Sequence, residues 1–190
     1  MPRHVASGAP DAAGADGPGP DATTELIAAL AARGTTVAVA ESLTGGAVTA
    51  ELTRPAGASA VVLGGVVVYA TELKHSIVGV DAHLLETEGP VHPDVAAQLA
   101  RGVRERLAVA GRPADIGVAT TGVAGPTSQG GRRPGTVFLA VATATSTRVV
   151  ALDLSGDRAQ IRRQVVARAV AELAAELTET GPVGADGGGE

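Results

Sequence analysis

The sequence predicts an α/β fold: a single layered α/β/α domain built on a mixed, mainly parallel sheet. Short runs rich in Val and Ala alternate along the chain with stretches of helical period, the pattern of strands that cross over through helices to a parallel neighbour. Near the C-terminus two strand-like runs follow one another with no helix between them, which places a hairpin in the sheet and makes it mixed. The length, 190 residues, allows one domain with a sizeable core but not two.

Residues 1–22 are mostly Gly, Ala, Pro and Asp without period and are expected to form a disordered tail, as are residues 179–190; the ordered domain is expected over 23–178. TTELIAALAARG sets Leu26, Ile27 and Leu30 on one side of a helix stopped by Gly34, and TTVAVAES follows as a buried strand. TGGAVTAELTR is expected to be the next helix, AVVLGGVVVY a second strand, and TELKHSIVGV a short helix with Thr71 at its cap. In HPDVAAQLARGVRERLAVAG the apolar Val95, Leu99, Val103 and Leu107 recur at helical spacing, Pro93 suits a first turn and Gly111 a stop. DIGVATT is a strand, GVAGPTSQGGRRPG a glycine-rich loop, and TVFLAVAT with TRVVALDL the hairpin. DRAQIRRQVVARAVAELAAEL closes the domain as a long helix capped by Asp157, with Ile161, Val165, Ala169, Leu173 and Leu177 facing inward.

Composition narrows the chemistry. Without cysteine there is no disulfide, no thiolate metal site and no cysteine nucleophile, so covalent hydrolysis would fall to Ser or Thr. His75, His83 and His92 lack the spacing of a helical metal pair, and neither a metal nor another cofactor is expected. One Phe, one Tyr and no Trp leave almost no stacking platform for nucleic acid, and a net charge of -5 offers no polyanion surface. The N-terminus lacks a basic region followed by a continuous apolar one, and no run is long enough to span a membrane. A cytoplasmic protein without membrane or nucleic-acid partners is expected.

In sheets of this kind ligands gather at the carboxyl ends of strands, which selects four segments. AESLTGG ends a strand and opens a helix, so its backbone N–H groups could hold an oxyanion or phosphate; equally, Ser42 or Thr44 could be a plain N-cap. YATELKHS holds the only tyrosine, Tyr69, and the only lysine, Lys74, in a chain whose other basic side chains are arginines. A lysine near a helix N-terminus and desolvated by an apolar strand can be neutral near pH 7 and accept a serine's proton, which an arginine cannot; the alternative is an exposed helix lysine. TTGVAGPTSQGGRRPGT is rich in glycines that let backbone approach a ligand, with Arg132 and Arg133 supplying charge, or is a surface loop. SGDRAQIRR places Arg158 and Arg162 one turn apart, as a phosphate clamp or as solvated helix charges.

In this order AESLTGG, GGVVVYATELK, GPVHPDVAAQLARGV, TTGVAGP, PGTVFLAV and SGDRAQIR resemble the CinA C-terminal domain family, over roughly residues 23–178. The enzymatic members of that family are nicotinamide-nucleotide amidases, which convert nicotinamide mononucleotide (NMN) to nicotinic acid mononucleotide and ammonia. The resemblance implies that Ser42 is the nucleophile and that Tyr69 and Lys74 are its catalytic partners. It implies substrate-binding roles for Glu41, Thr44, Gly45 and Gly46, for Thr121, Gly122, Ala124, Gly125 and Pro126, for Gly135 and Thr136, and for Arg158 and Arg162. It further implies a homodimer or larger homo-oligomer, and the stand-alone form of the domain. Leu43 stands where many members carry cysteine and His92 where serine is common.

The resulting expectation is a cofactor-free amidohydrolase acting on NMN, in which Lys74 or Tyr69 takes the Ser42 proton and ammonia leaves from an acyl-enzyme. Two other readings stay open on the sequence: a non-catalytic nucleotide-binding or interaction module, and an amidohydrolase for another small amide.

Overall fold

A computed structural model describes residues 22–179. The two expected tails lie outside the described residues except for Ala22 and Glu179, which are the outer ends of helices. The elements are α1 (Ala22–Arg33), β1 (Val37–Glu41), α2 (Ala47–Thr53), β2 (Val62–Val67), α3 (Thr71–Ser76), α4 (Ala82–Glu88), α5 (Pro93–Arg106), β3 (Ile116–Gly122), β4 (Thr136–Ala142), β5 (Thr147–Asp153) and α6 (Arg158–Glu179), with a 3-10 turn at Ala58–Ala60. The strands form a sheet in the order β2-β1-β3-β4-β5. β1 pairs in parallel with β2 and β3, while β4 is antiparallel to both β3 and β5, so all strands but β4 share one direction. The sheet is therefore mixed, as the late hairpin requires.

Strand alternation divides the interior into two cores. On one face Val37 and Val39 of β1, Ile116 and Val118 of β3, and Leu139 and Val141 of β4 meet α1, α2 and α6 through Leu26, Leu30, Val48, Leu52, Leu173 and Leu177. On the other, Ala38, Ala40, Ala119, Ala140 and Ala142 meet Val95, Leu99 and Val103 of α5. Alanines on that face let α5 lie close over the sheet, and the larger aliphatic residues stay on the face that three helices cover. Glu41 continues the first series and Ser42 the second, so neighbouring residues at the end of β1 point to opposite layers.

The helices start where their caps allow. His92 accepts the Asp94 N–H and Pro93 occupies the first turn of α5. Asp157 accepts the Gln160 N–H at 2.8 Å while Gln160 Oε1 accepts the Asp157 N–H at 2.8 Å, a reciprocal capping pair that starts α6. Several boundaries differ from the sequence expectation: α2 starts at Ala47 and not at Thr44, and α5 ends at Arg106 with Leu107 as its cap, short of Gly111. Thr71 is the first helical residue of α3 and not its cap, and α3 ends at Ser76, short of Val80. α4 was not expected, because only Leu84 and Leu85 give it an apolar side; Asp81 caps it by accepting the Leu84 N–H at 2.9 Å.

Gly135, the residue before β4, is under a tight constraint. Its N–H donates to the Val123 carbonyl at 2.8 Å and its own carbonyl accepts the Leu154 N–H at 2.9 Å. Its φ is +91°, and a Cβ there would lie 1.8 Å from the Leu154 carbonyl oxygen, an approach that backbone cannot relieve. Gly135→Ala is expected to destabilise the fold by about 3 kcal/mol or more in urea unfolding. Gly111→Ala, at φ +76° with open space around it, is expected to cost only about 1–2 kcal/mol. Equal losses at the two positions would contradict the close contact at Gly135.

Candidate active site

β1 lies between β2 and β3, and beyond the carboxyl ends of all three the chain opens a pocket of about 290 Å³. This is the position at which the strand order reverses, where α/β sheets hold ligands, and the volume sits near the lower end of small-molecule sites, ~300 Å³. Ser42 and Leu43 line it from the end of β1, Tyr69 from the end of β2, Lys74 from α3, and Thr121 to Gly125 from the end of β3. Arg158, the first residue of α6, reaches it from the far side.

Ser42 is tied to both neighbouring strands. Its N–H donates to the Thr120 carbonyl at 3.1 Å, and the Val68 N–H donates to the Glu41 carbonyl at 2.8 Å. Its side chain, 9 % exposed, meets Lys74 Nζ at 3.2 Å. Lys74 Nζ also donates to the Val68 carbonyl at 2.7 Å and is 1 % exposed. Burial pushes the lysine pKa from its ordinary 10.5 down to about 8, with Glu72 opposing the shift. The helix dipole contributes little here: α3 has only six residues and Lys74 lies past its middle. Desolvation is therefore the cause of the shift, as the apolar surroundings predict. His75, the next residue, is turned away, with Nδ1 2.7 Å from the Val80 carbonyl.

Glu41 has another task. It is fully buried, and its carboxylate accepts the N–H groups of Gly46, Val48 and Thr49 at 2.9, 3.0 and 2.8 Å and the Thr49 hydroxyl at 2.6 Å. These are the unpaired donors at the N-terminus of α2. The amides expected to hold an oxyanion or phosphate at that helix are thus taken by a side chain of the same segment, and neither Ser42 nor Thr44 is the cap. The Gly45 and Ala47 N–H groups are also used, on the Ser42 and Thr44 carbonyls. Within residues 42–49, only the Leu43 and Thr44 amides meet no acceptor among the described residues.

The remaining candidates divide between the pocket and its supports. Thr121, Gly122, Ala124 and Gly125 line the pocket. Thr121 also anchors it, donating its hydroxyl to the Pro90 carbonyl at 2.6 Å. Arg158 lines it too, donating to the Tyr69 hydroxyl at 2.8 Å and to the Gly125 carbonyl at 3.0 Å. Thr44 is fully buried against the Thr120 hydroxyl at 2.9 Å. Arg162 donates to the Thr44 carbonyl at 2.6 Å and so braces the turn after Ser42 from behind. Glu41, Gly45, Gly46, Pro126, Gly135 and Thr136 are likewise not part of the pocket wall. Arg133 pairs with Asp153 on β5.

Sequence reasoning passed over Pro90, Val91, Thr127, Ser128 and Gln129 as pocket wall, and the Val68 carbonyl as the lysine's anchor. Thr127 to Gln129 belong to the glycine-rich loop and their polar side chains were a usable signal; Pro90, Val91 and a backbone carbonyl carry none. Among the described residues no group of three His, Cys, Asp or Glu could hold a metal ion, and no helix is long and apolar enough to cross a membrane. A larger open groove of about 1200 Å³ between α2 and α6 brings in none of Ser42, Tyr69 and Lys74.

The family model for the CinA C-terminal domain matches residues 21–177. A CinA-like protein of Frankia casuarinae is 45% identical over 145 residues, covering 76% of this chain and 32% of that protein. One of Anaeromyxobacter dehalogenans is 46% identical over 156 residues, covering 81% and 37% respectively. The chain thus spans about a third of the length of the curated relatives it matches. Among solved structures, a competence/damage inducible protein of Agrobacterium tumefaciens superposes with a TM-score of 0.77 at 32% identity, covering 83% of this chain and 94% of that one. A CinA superfamily protein of Klebsiella pneumoniae gives a TM-score of 0.77 at 32% identity over 84% and 97%.

The buried lysine makes stability depend on pH with a defined sign. The unfolded chain keeps Lys74 protonated up to about 10.5, whereas the folded chain releases that proton near 8, so between these values the unfolded state binds more protons and stability climbs with pH. The increment is on the order of 3 kcal/mol. Urea unfolding of the wild type is expected to show this rise, and Lys74→Met to lose it; an equal rise in the variant would contradict the burial of a titrating Lys74.

Proposed function

The chain belongs to the CinA C-terminal domain family, and on that premise we propose that it is an amidohydrolase that converts NMN to nicotinic acid mononucleotide and ammonia. The observation that carries the proposal is the 3.2 Å contact between Ser42 Oγ and a buried Lys74 Nζ. A lysine withdrawn from water costs stability, and a pure binding module gains nothing from placing it against a serine. A base whose pKa lies near the working pH does gain from that environment.

Two hydrogen-bonding groups define the lysine's direction. In the neutral amine one N–H donates to the Val68 carbonyl, which leaves the lone pair available to the Ser42 hydroxyl. The amine takes that proton as Ser42 Oγ bonds to the carboxamide carbon, whose π electrons move to oxygen. The cationic pyridinium ring withdraws charge and favours this addition. The Leu43 amide, on the pocket wall, supplies a donor for the oxyanion in place of the α2 amides that Glu41 occupies. The C–N bond then breaks, the Lys74 ammonium returns its proton to the leaving nitrogen, and ammonia departs. Water adds to the Ser42 ester as Lys74 takes its proton; the adduct collapses, the Lys74 ammonium returns that proton to Ser42 Oγ, and the carboxylic acid gives its own proton to solvent and leaves as the carboxylate.

The same contact favours Lys74 over Tyr69 as proton acceptor, since the Tyr69 hydroxyl is engaged by Arg158. The pocket itself favours an anionic substrate: with Lys74 acting as a neutral amine, Arg158 is the charged wall residue, and among the described residues neither Asp nor Glu lines it. A phosphate-bearing amide fits that balance better than a neutral one.

Ammonia release from NMN tests the proposal. Ser42→Ala and Lys74→Arg are each expected to lower kcat by about a thousandfold or more while the circular dichroism spectrum is retained, because arginine keeps the charge but cannot give up its proton. Since the base works in its neutral form, kcat/KM is expected to rise with pH and level off above about 8. Near-normal turnover by Lys74→Arg would exclude Lys74 as the base, and absence of turnover by the wild type would exclude the amidase.

A further inference from the structure

Arg158 is held in an unusual way for a cation at a pocket mouth. Among the described residues it enters no ion pair. Both of its acceptors are neutral: the Tyr69 hydroxyl at 2.8 Å and the Gly125 carbonyl at 3.0 Å. The carboxylate next to it in sequence, Asp157, is turned to the Gln160 N–H. A carboxylate partner would fix the guanidinium equally well but would cancel its charge. A phenol oxygen and a carbonyl oxygen fix its direction and leave the charge in place. A guanidinium carries five N–H donors, and these two bonds leave the others for a ligand. Tyr69 is 57 % exposed, so it is not held there by burial, and Ser42 Oγ has Lys74 and not Tyr69 as its partner.

We propose that Tyr69 is a positioning residue whose hydroxyl aims Arg158 at the phosphate of the substrate, so that Tyr69 acts in recognition and not in proton transfer. This rests on the reading of the pocket as a nucleotide amidase site, with the carboxamide at Ser42 and the phosphate at Arg158. The pair works as a unit across two elements, the end of β2 and the start of α6, and closes one side of the pocket without a carboxylate. A phosphate would accept from the free donors of Arg158 in two-point geometry, and losing the phenol oxygen would let the guanidinium swing about its remaining bond to Gly125.

The test is calorimetric binding to the full chain at fixed salt, with nicotinic acid mononucleotide and its phosphate-free riboside as probes. The wild type is expected to prefer the mononucleotide; Tyr69→Phe is expected to weaken it by about tenfold and to leave the riboside within about twofold. In a double-mutant cycle Tyr69→Phe is expected to add nothing further to Arg158→Ala, because the hydroxyl acts only through the guanidinium. In turnover, the Tyr69→Phe loss is expected in KM, with the pH midpoint unchanged. Equal weakening of both probes, no weakening, additive effects in the cycle, no preference of the wild type for the mononucleotide, or a loss confined to kcat would each overturn the assignment. Failure of the wild type to deamidate NMN would sink the amidase proposal and leave this binding result to stand or fall separately.

Discussion

The site depends on one cation taken out of water. Lys74 is 1 % exposed, and an ammonium in that position is unfavourable unless it is paired or loses its proton. Among the described residues no carboxylate bonds to it, and the nearby Glu72 charge only partly offsets the cost of burial. Its partners are a serine hydroxyl and a backbone carbonyl, which can accommodate the amine in its uncharged form. Much of the surrounding structure follows from that choice. β2 must end at Val67 so that the Val68 carbonyl is free to accept, and α3 must start at once so that its fourth residue reaches back over the end of β1.

Strand geometry supplies the second half of the arrangement. Successive residues of a strand point to opposite faces, so Glu41 and Ser42 serve different layers. Glu41 turns to α2 and satisfies the donors that begin that helix; Ser42 turns to α3 and meets Lys74. Thr120 and Thr121 repeat the division one strand over: Thr120 bonds Thr44 beneath the turn, and Thr121 bonds the Pro90 carbonyl at the pocket wall. Arg162 then braces the same turn through the Thr44 carbonyl. Ser42 is held by backbone on both sides and by buried polar groups below, the kind of support that fixes a side chain against its hydrogen-bond partner.

Much of this could be read from the sequence. The alternation of apolar runs gave the strands, the late pair without a helix gave the hairpin, and the solitary lysine in an arginine-rich chain marked a side chain that the fold buries against Ser42. What escaped has a physical reason in each case. α4 has no apolar stripe long enough to register. The capping role of Glu41 depends on its parity in β1 relative to α2, which is a property of the assembled layers. Arg158 and Arg162 share a helical face in the sequence, yet one reaches the pocket mouth and the other a carbonyl behind it, because the approach of α6 to the sheet separates their endpoints. Gly135 and Thr136 resembled a ligand loop, but their positions are fixed by backbone contacts with Leu154 and Val123.

Because Lys74 is the only lysine in the chain, its ionisation can be followed without assignment. Protein labelled with carbon-13 lysine gives a single side-chain ε-carbon signal, and its titration by NMR reports the buried amine directly. Transfer of this group from water into the pocket beside Ser42 predicts a midpoint near 8. A midpoint at the ordinary 10.5 would mean that the amine stays charged at working pH, and the account of Lys74 as the base would fall with it.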